Sequence, residues 1–187
     1  MPEQIKIISH SNQVESLLEP YREVIGDDFK GYRGHVYRAL TYAMHFLDND
    51  ERYLPVLEAA FVFHDIGLWT DKNLAYLEPS EAEALRVNNE RKLGLDPELL
   101  RDVIHWHHKV TAYKGEHADI INAARKADWI DATQGKMRKG LSKEQIDMVE
   151  KSIPNDGFHE ALARSAVDLG GSALKGNMRV VRNVFKW

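Results

Sequence analysis

Residues Ala59-Ala60-Phe61-Val62-Phe63-His64-Asp65-Ile66-Gly67 decide how the chain is read. Ala, Phe, Val and Ile cover nearly the whole circumference of a helix through this stretch. A helix that is apolar all round is a buried one. It nevertheless carries an adjacent His and Asp. An ionised carboxylate taken out of water costs several kcal/mol or more, so it must be paired or bound to a metal. Adjacent helical residues point about 100° apart. Their side chains can still converge on one ion, because both bend and the carboxylate has two oxygens. A buried His–Asp hydrogen bond that only orders the core is the competing reading. Gly67 permits a sharp exit from the helix.

Working outward, apolar residues recur at spacings of three and four, the helical period. Val14, Leu17, Leu18 and Tyr21 predict a first helix over about 12–25. Val36, Leu40, Ala43, Met44 and Leu47 predict a second over about 33–48, and Pro55 to Phe63 a third over about 53–66 with Pro55 in its first turn. Ser80 and Glu83 form a Ser-x-x-Glu capping box ahead of Ala84, Leu85 and Val87, and Gly94 offers a left-handed stop. Asp96-Pro97 then caps and opens a helix that runs to about Lys109. Another spans about 117–133, and Ser142 with Gln145 makes a second capping box. A last helix over about 173–186 has Leu174, Met178, Val181 and Phe185 on one stripe and Lys175, Arg179, Arg182 and Lys186 on another. The basic stripe reads as a solvated face, a dimer contact or an anion-binding edge. Only Gln4–Ile8 approaches strand alternation. The expected fold is an all-α helical bundle, one domain over 1–187, with its motif-bearing core at about 30–135 and helices from 142 to 187 packed on it.

Composition sets limits on function. The 187 residues have 25 Lys plus Arg against 29 Asp plus Glu, a formal charge of -4, which gives no general nucleic-acid or membrane-surface signal. The absence of cysteine excludes disulfides, thiol nucleophiles and thiolate metal sites. No signal peptide opens the chain and no apolar run approaches membrane-spanning length, so the expected location is the cytoplasm and no membrane partner is expected. Nine histidines are the unusual feature.

Two further positions complete a set of ligand types. His35 opens the second helix, and Asp128 lies in Ala123-Ala124-Arg125-Lys126-Ala127-Asp128-Trp129-Ile130. Two imidazoles and two carboxylates suit a divalent transition ion (Mn, Fe, Co, Ni or Zn) better than calcium. Four protein ligands on an octahedral ion leave positions open for water or substrate, the mark of a catalytic site.

The order His35, then His64-Asp65, then Asp128 resembles the HD-domain superfamily of metal-dependent phosphohydrolases. Phe61-Val62-Phe63-His64-Asp65-Ile66-Gly67 is similar to the family's apolar-run, His-Asp-Ile-Gly signature. Ala127-Asp128-Trp129-Ile130-Asp131-Ala132 is similar to its Ala-Asp-x-x-Asp stretch. The resemblance covers about residues 30–135. It implies an all-α bundle, one metal held by these four side chains, and hydrolysis of a phosphate ester such as a nucleotide. Two departures stand out. Leu68, followed by Trp69, occupies the place where many relatives carry Lys, and Lys72 nearby is the substitute candidate. Glu78-Pro79 stands where binuclear relatives have a His-Pro position, so a second metal is not expected.

Within that frame, His105, His107 and His108 lie near the pocket of such relatives, with His105 and His108 sharing a helix face and ranking ahead of His107 as catalytic candidates. Asp131, one turn past Asp128, is a further catalytic candidate, as a base or as an orienting group. Arg38, one turn from His35, with Lys72 and Lys109, is a candidate for binding phosphoryl oxygens. His10, His45, His117 and His159 read as structural or surface residues. The alternatives are other metal chemistry on the same scaffold, a hydratase or a binuclear oxygenase, and a non-catalytic nucleotide-binding regulator. Trp and Tyr on helical surfaces are compatible with a homodimer.

Overall fold

The computed structural model describes residues 4–170. The expected C-terminal helix at about 173–186 and its basic stripe lie outside the described residues. Within them the chain is all-α. No strand occurs there; Gln4–Ile8 has no regular structure, and the Ile8 amide donates to Thr41 Oγ1 at 3.1 Å.

The first expected helix is divided. It runs as α1 (Asn12–Leu18), a 3-10 turn at Glu19–Tyr21, and α2 (Arg22–Ile25). Pro20 has no amide hydrogen to continue the ladder. Ser11 caps α1, its hydroxyl accepting from the Val14 amide at 3.3 Å. α3 (Phe29–Phe46) starts about four residues earlier than its spacing predicts, so His35 sits in its second turn. It is buried along most of its length and packs beside α8 (Ala118–Ala132).

α4 (Leu54–Phe63) carries Pro55 in its first turn, and Val56 to Phe63 are all buried. It ends sooner than expected. His64 is its C-cap, residues 64–66 form a turn, and Gly67 opens the short helix α5 (Gly67–Thr70). Gly67 serves close approach rather than a left-handed exit. A Cβ there would lie 2.6 Å from the Tyr76 carbonyl oxygen and 3.1 Å from Ser80 Oγ.

That contact explains a second difference. α6 (Leu77–Glu90) begins three residues before Ser80, and the buried Ser80 hydroxyl accepts from the Gly67 amide at 3.0 Å instead of capping its own helix. Glu78 and Pro79 thus fall in the first turn of α6. The left-handed residue just past α6 is Lys92 (φ 53°), and Gly94 (φ 72°) lies further along the loop. α7 (Pro97–Trp106) starts as expected. Asp96 accepts from the Glu98 and Leu99 amides at 2.9 and 3.1 Å. It stops three residues before Lys109, so His107 and His108 form a turn at its end.

α9 (Lys143–Ser152) has the full capping box. The Gln145 amide donates to Ser142 Oγ at 3.1 Å, and the Ser142 amide donates to Gln145 Oε1 at 2.8 Å. α10 (Phe158–Gly170) is an element the sequence reading does not assign. Its start packs against Gly31 of α3, where a Cβ would meet the Asp156 carbonyl and the Phe158 amide at 2.9 Å each. This places the Phe158 ring flat on His35, with centroids 4.0 Å apart and planes at 11°. No helix among the described residues is long and apolar enough to cross a membrane.

Candidate metal centre

The ends and inner faces of four elements meet in the core. α3 supplies His35, the turn after α4 supplies His64 and Asp65, and α8 supplies Asp128. The turn after α7 adds His107 and His108. His35, His64, Asp65, Asp128 and His107 are all within 4% of full burial at their side chains, while His108 keeps 14% exposure. The six residues thus form a sealed cluster with one member open to the outside.

Hydrogen bonds set which ring nitrogens face inward. A carbonyl or carboxylate can only accept, so the nitrogen bonded to it carries the proton. His35 Nδ1 donates to Asp131 Oδ2 at 2.7 Å. His64 Nδ1 donates to the Phe61 carbonyl at 2.7 Å, and His107 Nδ1 donates to the Ile104 carbonyl. All three rings therefore direct Nε2 into the cluster. There the two nitrogens His35 Nε2 and His64 Nε2 stand 2.9 Å apart. Each lies 3.3 Å from Asp128 Oδ1, and His64 Nε2 lies 3.2 Å from Asp65 Oδ2.

The other side of the cluster repeats the pattern. Asp65 Oδ1 lies 3.4 Å from His107 Nε2 and 3.6 Å from His108 Nε2, and Asp128 Oδ2 lies 3.2 Å from His108 Nδ1. Asp65 Oδ1, His107 Nε2 and both Asp128 oxygens are buried without a hydrogen bond. Buried polar atoms are nearly always satisfied, so these call for a hydrogen-bond donor or a cation.

Three donor sets have the spacing of metal ligands: His35, His64 and Asp128; His64, Asp65 and His107; His107, His108 and Asp128. Nitrogen and oxygen ligands about 2.0–2.2 Å from one ion lie roughly 3 Å from each other, which is the spacing found here. The donor set therefore fits a metal ion.

The electrostatics point the same way. Burial drives the Asp65 and Asp128 pKa values up, yet His64 next to Asp65 and His108 next to Asp128 hold both well below the ordinary carboxylate range. Burial opposes charge on His64, but Asp65 and Asp128 win and raise it to about 10. The same contest raises His108 to about 9. His107, pushed down to about 4 by burial and by the charge of His108, stays neutral. Two carboxylates confined among imidazoles call for positive charge, which protons on His64 and His108 or a metal ion supply.

The outer residues divide sharply. Asp131 does not line the opening. It holds His35 Nδ1 and accepts from Arg38 Nε at 2.5 Å and Nη2 at 2.9 Å. It is a positioning residue for His35 rather than an acid or base on a substrate. Arg38 is only 1% exposed, and its Nη1 donates to the Pro154 carbonyl at 2.8 Å. It is fully engaged in the core and does not reach a phosphoryl group. Lys72 is exposed at the turn after α5 (φ 49°), and Lys109 lies past the cluster, where its carbonyl accepts from Arg125 at 3.2 Å. Neither lines the opening. His105 points away and pairs with Glu81 at 2.8 Å. Glu78 is exposed on α6, outside the cluster.

His107 is the functional candidate that the sequence ranking undervalued. Helical spacing gives no signal for it, because α7 ends at Trp106 and His107 sits in the turn that follows. Tyr76 is a second such candidate, its hydroxyl 2.6 Å from His108 Nε2. Burial and the two carboxylates raise the Tyr76 pKa far above the ordinary phenol value, so it keeps its proton.

A cavity of about 160 Å³ opens on the cluster. His35, Asp65, His108 and Asp128 form one end, and Leu68, Leu74, Phe158, Leu162 and Ala166 form much of the wall. A comparison with protein-family models, curated proteins and solved structures gives no match to this chain.

Proposed function

We propose that the chain is an HD-type metal-dependent hydrolase of a phosphate ester. The observation that carries this is the pair of imidazole nitrogens 2.9 Å apart, each with its other nitrogen already donating, beside four buried polar atoms that lack a hydrogen bond. His35, His64, Asp65 and Asp128 would hold one divalent transition ion of the Mn, Fe, Co, Ni or Zn group. Such an ion, when bound, supplies a Lewis acid and lowers the pKa of water near it.

The reaction adds one water across the ester P–O bond and yields an alcohol and inorganic phosphate. The chain's own residues have distinct parts in it. Asp131, locked by Arg38, keeps the proton on His35 Nδ1 and so keeps Nε2 a ligand. The backbone carbonyls of Phe61 and Ile104 do the same for His64 and His107. Phe158 and the α10 wall keep bulk water from that side. His108, open at the cavity and held by the Tyr76 hydroxyl, would meet the phosphoryl oxygens or hand a proton to the leaving oxygen.

A second reading has one specific observation in its favour. His107 and His108 complete donor sets with Asp65 and Asp128 without any help from Glu78. A second ion would then share Asp65 and Asp128 with the first, and the binuclear chemistry set aside on the ground of Glu78 becomes open again.

Elemental analysis of the purified wild type, Asp65→Ala and Asp128→Ala tests the proposal. Roughly one transition ion per chain, lost in both variants, with metal-dependent release of phosphate from an ester panel, is the expected result. Two ions per chain select the second reading. No ion after loading with Mn²⁺, Co²⁺ or Ni²⁺ overturns both.

A further inference from the structure

The cavity has a charged end and an apolar end, and the apolar end constrains what is esterified to the phosphate. Phe158, Leu68, Leu74 and Ala166 are each less than a tenth exposed and face the same space, with Leu162 beside them. The polar groups on this wall are few: Ser165 and the Tyr76 hydroxyl, the latter already bonded to His108. The whole cavity, charged end included, measures about 160 Å³, close to an engineered apolar cavity of about 150 Å³ that takes up benzene, so the apolar end takes a group no larger than that. From these observations we infer that the substrate is a phosphomonoester of a small, uncharged, mainly apolar alcohol, with a group no larger than about one six-membered ring. The inference rests on the hydrolase reading for the phosphoryl end and on the wall alone for the organic end.

The physical case is one of desolvation. A phosphoryl group placed against His35, Asp65, His108 and Asp128 directs its ester substituent along the α10 wall. An apolar ring there leaves water and gains contact with Phe158, Leu162 and Ala166. A ribose would bring hydroxyls that lose water and find almost no partner on this wall, which disfavours it. The same reasoning separates this site from one built for sugar phosphates or polyphosphates.

The test uses two phosphonates that resist hydrolysis. Phenylphosphonate and methylphosphonate are titrated into the Mn²⁺-loaded protein by calorimetry, and the turnover of phenyl phosphate, glycerol phosphate and AMP is compared by kcat/KM. The phenyl compound should bind about 10- to 100-fold more tightly than the methyl compound, from the apolar area it buries. Ala166→Phe, which fills the cavity, should remove most of that preference. Leu162→Ala, at a half-buried position that folding tolerates more readily, should weaken phenylphosphonate and leave methylphosphonate unchanged. Equal affinity for the two compounds, no binding of either, or a preference unmoved by Leu162→Ala overturns the inference. Turnover that favours AMP or glycerol phosphate also overturns it and leaves the hydrolase reading standing. A wall-dependent phenyl preference with no ester hydrolysed does the reverse: the pocket assignment stands and the hydrolase reading falls.

Discussion

Replacing Arg38 by Met tests whether the centre is held from behind. Arg38 is nearly inaccessible, donates twice to Asp131, and also reaches the carbonyls of Ile153 and Pro154 at 3.3 and 2.8 Å. Met keeps the apolar stem and removes the guanidinium. Asp131, only 2% exposed, then becomes a buried carboxylate with His35 as its sole ionic partner. Breaking one side of such a pair costs about 3–5 kcal/mol. At about 2–4 °C per kcal/mol for a chain of this size, the melting temperature should fall by roughly 6–20 °C. Adding Asp131→Asn removes the stranded charge. The double variant should therefore lose about 2 kcal/mol less than the sum of the two single losses, a coupling expected of residues in direct contact. Denaturant titration of the four proteins measures it. A loss below about 1 kcal/mol for Arg38→Met, or strict additivity in the cycle, would refute the claim that this pair stabilises the centre.

Other positions give independent checks. Gly67→Ala places a methyl 2.6 Å from the Tyr76 carbonyl oxygen; it should cost about 2 kcal/mol and weaken Co²⁺ binding, followed by visible absorption, because Asp65 lies two residues away. Ser142→Ala removes the hydroxyl that caps α9 and should cost about 1 kcal/mol in thermal unfolding, and adding Gln145→Ala should cost more, since it removes the separate bond from the residue 142 amide and the contact with His45. Glu15 should give stability that depends on pH. Burial raises its pKa, but hydrogen bonds from Arg33 and Tyr37 outweigh that and hold it below the ordinary value. A lowered folded pKa means the stabilisation is present above the unfolded value of about 4.3 and is lost as the pH falls through the folded one. Glu15→Gln should therefore be less stable than wild type at neutral pH, and the two melting curves should converge in acid.

What could be read from sequence followed physical necessity. An apolar run has few ways to hide Asp65, so the His64-Asp65 pair declared itself. His35 and Asp128 fell into place through family-like order, and the structure brings all four together. Local rules held where a single interaction decided them: Asp96 before Pro97, and Ser142 with Gln145. They failed where a distant contact competed. Ser80 has the sequence of a cap, but its hydroxyl accepts from Gly67, thirteen positions back. Arg38 has the right spacing to face a ligand, but Asp131, 93 positions away, captures it. His107 looked like the least favoured of its cluster because spacing on a helix does not apply once α7 has ended at Trp106. Phe158, Ala161, Leu162, Ser165 and Ala166 of α10 repeat at helical spacing, but Gly157 before them and Gly170-Gly171 after them give the stretch the composition of a loop.

The bond from His35 to Asp131 joins residues 96 positions apart, and this has a consequence for how the centre is made. At a synthesis rate of about 5–20 residues per second, about 5–20 s separate the two residues on a ribosome. During that interval His35, His64 and Asp65 exist without the carboxylates of α8 that fix and complete them. A selective pocket is not yet there to choose an ion, and any ion caught early is held by loose ligands that exchange readily. Selection is deferred until α8 docks on α3 and Phe158 closes over His35. Which metal the mature protein would carry is then set by the ions present at that late moment as much as by the ligand set itself.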